Sequence, residues 1–275
     1  MIDLEEDPEA PDGFDFGRKR LPRGLTLRAL VPNAITSAAL CCGLTGIRFA
    51  IGGDFRAAVL AVILAGMLDG IDGRVARAMK AQSRFGAELD SLSDAIAFGV
   101  APALILYLWS LSQVPRFGWF AALALAVCCA LRLARFNAQI DMEDQPHKSM
   151  GFLTGVPAPL GAALALMPLY LWIASGRDEF RAAVPVAVWT AGVAFLMISN
   201  LPTPGWGSLR LRRTVRLEAI GLVGLVFAAL LTEPWLTLVA VGAAYVLLLP
   251  VSALRYRRIR RLRAMPVPRP GAAGD

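Results

Sequence analysis

Apolar runs of 17–23 residues recur eight times along the chain, at 30–51, 56–78, 91–112, 117–136, 153–175, 182–200, 216–232 and 234–254. The hydrocarbon core of a bilayer takes about 20 residues of helix. In lipid a backbone must satisfy its own hydrogen bonds, which a helix does and an open strand does not. The recurrence predicts an all-α polytopic membrane protein of about eight transmembrane helices, the last two meeting in a tight hairpin at Glu233-Pro234. Composition excludes the soluble alternative: 56% of residues are hydrophobic and 18% charged, where a soluble domain carries roughly a quarter charged.

The loops carry the orientation. With eight spans, 23 Lys and Arg fall on the side that holds both termini and 5 on the other, which places both termini in the cytoplasm. Residues 1–17 form an acidic tail expected to be disordered, and the sign flips at Arg18-Lys19-Arg20. A negative extreme N-terminus with no adjacent short apolar core is unlike a secretory signal. The net charge of +7 is thus a topology signature, and the basic tail from Arg255 to Arg263 is a lipid-attracting patch, not a nucleic-acid site. Cys41-Cys42 and Cys128-Cys129 lie in apolar runs without metal-site spacing and read as small hydrophobes. His147 is the single histidine, which excludes a multi-histidine zinc site and leaves chemistry to carboxylates, arginines and hydroxyls.

Those carboxylates concentrate where the second and third apolar runs approach the cytoplasm. Asp69 and Asp72 are three apart and Asp90 and Asp94 four apart, so each pair occupies one face of its helix and the pairs can oppose each other across a hairpin. Unpaired carboxylates at membrane depth are costly, and oxygen ligands at this spacing suit a hard divalent cation, Mg²⁺ or Mn²⁺. An ion-pair cluster with Arg74, Arg77 and Arg84 would satisfy the charge but leave the interleaved glycines unexplained. Gly70, Gly73 and Ala76 strip one face of side chains, either to admit a bulky group or to let helices pack closely.

The pattern Asp69-x-x-Asp72-Gly73-x-x-Ala76-Arg77, eight residues, Gly86-x-x-x-Asp90-x-x-x-Asp94 resembles the signature of the CDP-alcohol phosphatidyltransferase family at every defining position. The resemblance implies a six-helix membrane core, here residues 28–215, with tails at 1–27 and 255–275 and an added hairpin at 216–254. It implies transfer of a phosphatidyl group from CDP-diacylglycerol to an alcohol with release of CMP, two Mg²⁺ or Mn²⁺ ions, and a homodimer. Asp69, Asp72 and Asp90 match the family's metal ligands. Asp94 matches its proton acceptor, which also touches metal, and Gly73, Ala76, Arg77 and Ser83 match its contacts to the CDP-lipid. The expected location is a bacterial inner membrane, with the active site facing the cytoplasm.

Pro32-Asn33-x-x-Thr36, the run Gln82–Ser91, Leu131–Asn137 and Phe152–Pro159 are together similar to the membrane-integral phosphatidylserine synthases of that family, implying L-serine as acceptor. Arg132 and Arg135 share a face and can fork a carboxylate, and Asn137 adds a neutral donor and acceptor; topogenic snorkelling is the alternative for the arginines. Asn33 and Thr36 mark either a helix start near Pro32 or a contact to the lipid diphosphate. Pro157 and Pro159 are expected to break the fifth helix and free carbonyls toward the pocket. Choline, inositol and glycerol 3-phosphate are the other acceptors such a chain could take, and a divalent cation transporter is the alternative from another class.

Overall fold

The computed structural model describes residues 27–140, 152–199, 202–204 and 216–263. The acidic tail, His147 and the basic stretch at Arg210–Arg213 lie outside the described residues. The eight apolar segments are helical for most of their length: α1 Leu27–Ile51, α2 Phe55–Ala78, α3 Arg84–Asp94 continuing into α4 Ala101–Trp109, α5 Pro115–Ile140, α6 Ala158–Ala165 with α7 Met167–Ser175, α8 Ala183–Ile198, α9 Arg216–Thr232 and α10 Pro234–Arg263. Three helical stretches are long and apolar enough to cross a bilayer, Leu30–Ile51, Arg84–Trp109 and Pro115–Ala138. Among the described residues the α6–α7 pair, bent by 42°, passes the same test only when taken as one span, and shorter apolar helices follow at Ala183–Ile198, Ile220–Thr232 and Pro234–Pro250. The chain is an integral membrane protein built from helices.

Helices α1 and α2 form a hairpin around Gly53, whose φ of +81° suits a residue without Cβ. Asp54 then caps α2, its Oδ1 accepting from the Ala57 amide at 2.9 Å. The hairpin closes on small residues, with Ala39, Ala50, Ala58 and Ala65 buried along it, as suits helices that associate in lipid by close packing.

Between α3 and α4 the helix passes through a π segment, Ala95–Val100, where the Ala101 amide reaches back five residues to the Ile96 carbonyl. Pro102 comes next and has no amide to give. One extra residue in a turn rotates the helix before it by about 100° relative to the helix after it. Asp90 and Asp94 therefore face the same interior as Phe98, Ile105, Leu106 and Trp109, all buried.

At the far end of α4, the Arg181 Nε donates to the Trp109 carbonyl at 2.8 Å, and the Ser110 hydroxyl donates to the Arg181 carbonyl at 2.8 Å. The rings of Trp109 and Trp172 meet edge-on at 5.9 Å. These contacts pin the end of α4 to α7 and to the turn Asp178–Arg181 that leads into α8.

Pro157 and Pro159 do not break a helix; they begin one. Pro157 is the cap residue of α6 and Pro159 sits in its first turn, where a missing amide costs nothing. The bend falls later, at Leu166, ahead of Pro168. Before α6 lies a feature absent from the sequence expectation, a three-residue strand Phe152–Thr154 (β1) paired antiparallel with Pro202–Pro204 (β2). Gly155 comes directly after it at φ +74°, and a Cβ there would stand 2.5 Å from the Met197 carbonyl oxygen. Gly155→Ala is expected to cost more than about 1 kcal/mol, from the left-handed backbone and the collision together, and to lower the thermal midpoint in detergent.

Helix α10 packs on α7, where Gly242 comes so close that a Cβ would lie 2.8 Å from the Met167 Sδ. By contrast α9 leaves Leu217, Val223, Phe227 and Leu231 exposed, a surface for lipid.

Candidate active site

Two helices bring the carboxylates together. Asp69 and Asp72 come from the C-terminal half of α2, Asp90 and Asp94 from α3. One carboxylate oxygen each from Asp69, Asp72 and Asp90 lies within 4.8 Å of the others. Asp94, one turn beyond Asp90, meets the Asp69 carboxyl at hydrogen-bonding range. The opposition expected from the three- and four-residue spacings is therefore present. Three convergent carboxylates with no ammonium or guanidinium among them fit a hard divalent cation. Arg74, Arg77 and Arg84 are exposed and none acts on the four aspartates, whereas Arg132 acts on Asp69 and Asp94. The ion-pair cluster with the three α2–α3 arginines is not what this structure shows.

Beside the carboxylates opens a cavity of about 370 Å³. Gly73, Ala76, Arg77 and Ser83, the positions matched to CDP-lipid contacts, line it, as do Asn33 and Thr36, together with Asp72, Gly86 and Asp90. Its floor is kept low by glycines. A Cβ at Gly73 would meet only the Arg77 Nη1, at 3.8 Å, and one at Gly86 would crowd the Asn33 Oδ1 at 3.0 Å. Nothing lies within 4 Å of a Cβ built on Gly70, so among the described residues Gly70 mediates no close helix packing.

Local structure explains how the mouth is held. Ser83 has an extended backbone and caps α3, its Oγ accepting from the Gly86 amide at 3.0 Å. On α1 the Thr36 hydroxyl lies 2.6 Å from the Asp72 Oδ2, to which it donates, and 3.1 Å from the Pro32 carbonyl. Both Thr36 and Asp72 are buried, at 5% exposure each. Thr36 thus orients a carboxylate as well as lining the cavity.

The three residues suggested for the acceptor do not line this cavity. Arg132 sits on the Asp94 side of the carboxylates, its Nε buried without a hydrogen-bond partner. The Arg135 Nη1 donates to the Ile198 carbonyl at 3.2 Å, bracing the end of α8. The Asn137 amide donates to the Ser91 hydroxyl at 2.9 Å, tying α5 to α3 beside Asp90. Ser93, which the spacing treats as a free position, is 2% exposed and donates to the Thr36 carbonyl at 3.2 Å. Its place in the chain between two aspartates is the signal that sequence reasoning passes over.

The chain is similar to several known proteins. CDP-diacylglycerol–serine O-phosphatidyltransferases of Mycobacterium tuberculosis and Mycobacterium bovis are each 38% identical to the chain, over 88% of it and 84% of their own length. The Helicobacter pylori protein of that name is 31% identical over 72% of the chain and 81% of its own. An archaetidylserine synthase of Methanothermobacter thermautotrophicus is 31% identical over 63% of the chain and 69% of its own. Residues 215–250 match a second CDP-alcohol phosphatidyltransferase profile. With residues 29–198, from the start of α1 to the end of α8, matching the CDP-alcohol phosphatidyltransferase family itself, the chain belongs to that family.

Proposed function

We propose that the chain transfers the phosphatidyl group of CDP-diacylglycerol to the hydroxyl of L-serine, giving phosphatidylserine and CMP. The observation that carries this is the convergence of Asp69, Asp72 and Asp90 within 4.8 Å at the edge of a cavity lined by Asn33, Gly73 and Arg77. The names of the relatives supply serine as the acceptor.

In this mechanism the diphosphate lies over Gly73, where no side chain blocks approach. Arg77 and Asn33 offer donors to its oxygens, and the Ser83-capped start of α3 faces the cytidine end. Asp69, Asp72 and Asp90, with Asp94 shared, would hold two divalent cations, Mg²⁺ or Mn²⁺, which supply charge neutralisation on the diphosphate and the departing CMP. Asp94 accepts the serine hydroxyl proton as the oxygen attacks the lipid-side phosphorus. The bond from that phosphorus to the bridging oxygen breaks, and the electron pair leaves with CMP. Arg132, next to Asp94, is placed to receive the serine carboxylate, with Arg135 and Asn137 shaping that side through Ile198 and Ser91.

The eight helical units, with the basic residues on one side, support eight spans with both termini and the carboxylates on the cytoplasmic face of a bacterial inner membrane. Residues 28–215 would then be the catalytic core and 216–254 an added hairpin. A homodimer is in keeping with the exposed apolar faces of the helices.

In mixed micelles of CDP-diacylglycerol, CMP release by the purified protein is expected to require both serine and Mg²⁺ or Mn²⁺, and to stop on addition of a chelator. Release that depends on inositol, choline or glycerol 3-phosphate instead would replace the acceptor while leaving the aspartates in their roles. Metal movement across vesicles without any CMP release would remove the enzymatic reading.

A further inference from the structure

One chain of buried hydrogen bonds ties α1 to both helices that carry the carboxylate pairs. The Ser93 Oγ donates to the Thr36 carbonyl at 3.2 Å, and the Thr36 hydroxyl donates to the Asp72 Oδ2 at 2.6 Å. Ser93, Thr36 and Asp72 are exposed by only 2%, 5% and 5%, so water does not compete for these groups and an unmade bond would not be replaced. Ser93 lies between Asp90 and Asp94 on α3, and Asp72 on α2, so the chain of bonds runs from one half of the site through α1 to the other.

We propose that Ser93 is a positioning residue for the Asp72 carboxylate, acting through Thr36. Ser93 fixes the height of α1 against α3, and that height sets whether the Thr36 hydroxyl reaches Asp72. With Oδ2 held by this donor, the plane of the Asp72 carboxylate is fixed where one of its oxygens converges with those of Asp69 and Asp90. Groups that orient a ligand in this way change metal affinity by roughly 10–100-fold when they are lost. The proposal rests on the assignment of the carboxylates as cation ligands, and not on serine as the acceptor.

Mn²⁺ binding to the purified full-length protein, read directly by electron paramagnetic resonance without lipid or serine, tests it. Thr36→Val is expected to weaken Mn²⁺ binding by about 10–100-fold, and Ser93→Ala by roughly five-fold, the equivalent of one neutral hydrogen bond. Thr36→Ser, which keeps the hydroxyl, is expected to restore near-normal affinity. The double variant Ser93→Ala/Thr36→Val should bind no more weakly than Thr36→Val alone, because both act through one route. Thermal midpoints are measured alongside as a check on folding. Unchanged Mn²⁺ affinity in Ser93→Ala, with or without a lower midpoint, would overturn the proposal, as would additive losses in the double variant. Failure of the wild-type protein to bind Mn²⁺ would overturn both this chain of action and the cation assignment. Mn²⁺ binding in the expected order, in a protein that does not turn over serine, would support the positioning role and remove only the acceptor.

Discussion

Asp94→Asn is expected to reduce CMP release by about 10²–10⁴-fold, the usual contribution of a positioned general base, in a protein that still folds and still binds Mn²⁺. The amide has the size of the carboxyl, so the packing of α3 against α5 is preserved and the loss reports the missing proton acceptor. Asp94 is separable from its neighbours because its oxygens are not among the three that converge within 4.8 Å, which come from Asp69, Asp72 and Asp90. Asp90→Asn should therefore weaken metal binding first, and Asp94→Asn should lower kcat first. The measurement is single-turnover CMP release at saturating metal beside Mn²⁺ binding. Full activity in Asp94→Asn would remove the residue from the role of base. A collapse of Mn²⁺ affinity as large as that of Asp90→Asn would make it a ligand before anything else.

Much of this site is legible in the sequence because its logic is local. Aspartates three and four apart on helices must share faces, and charge inside apolar runs must be satisfied by something; both conclusions come from periodicity alone. The eight helical units are legible for the same reason. The features that escape depend on contacts between distant segments. The π segment at Ala95–Val100 adds one residue to a turn, which no hydrophobic pattern registers, although Pro102 marks where the amide ladder fails. The β1–β2 pair joins residues fifty apart in stretches too short for a strand pattern, one of them bearing two prolines. Pro157 and Pro159 read as helix breakers in the sequence because a proline's effect reverses with position, from breaker inside a helix to starter in its first turn. Arg135 is readable as a cation on a face, but not as the brace of the Ile198 carbonyl. Ser93 is hidden by its neighbours: between two aspartates, a small residue looks like spacing.

The height of α1 against α3 carries the second large effect. Gly43 on α1 meets Ala97 of the π segment, and a Cβ at Gly43 would lie 2.8 Å from the Ala97 Cα and 2.9 Å from its Cβ. Carbon atoms in contact want about 3.5–4.0 Å, and a backbone atom cannot rotate away, so Gly43→Val must push α1 off the π segment by several tenths of an ångström or more. Thr36 lies seven residues before Gly43, about two turns along the same face, and Ser93 lies four before Ala97, one turn. The same two elements that separate at Gly43 are therefore the ones joined at Thr36 and Ser93. The displacement reaches the Thr36–Asp72 contact, which at 2.6 Å has no slack. Gly43→Val is expected to lose about 10²-fold in kcat/KM, the scale of an ångström-sized misplacement in a preorganised site, and about 1–3 kcal/mol of stability from overpacking. Gly70→Ala provides the contrast, since nothing lies within 4 Å of the added carbon. Its stability should hold or rise by up to about 1 kcal/mol of helix propensity, read as an unchanged or higher thermal midpoint. Wild-type kcat/KM in a folded Gly43→Val protein would show that the height of α1 against α3 does not govern the Thr36–Asp72 contact.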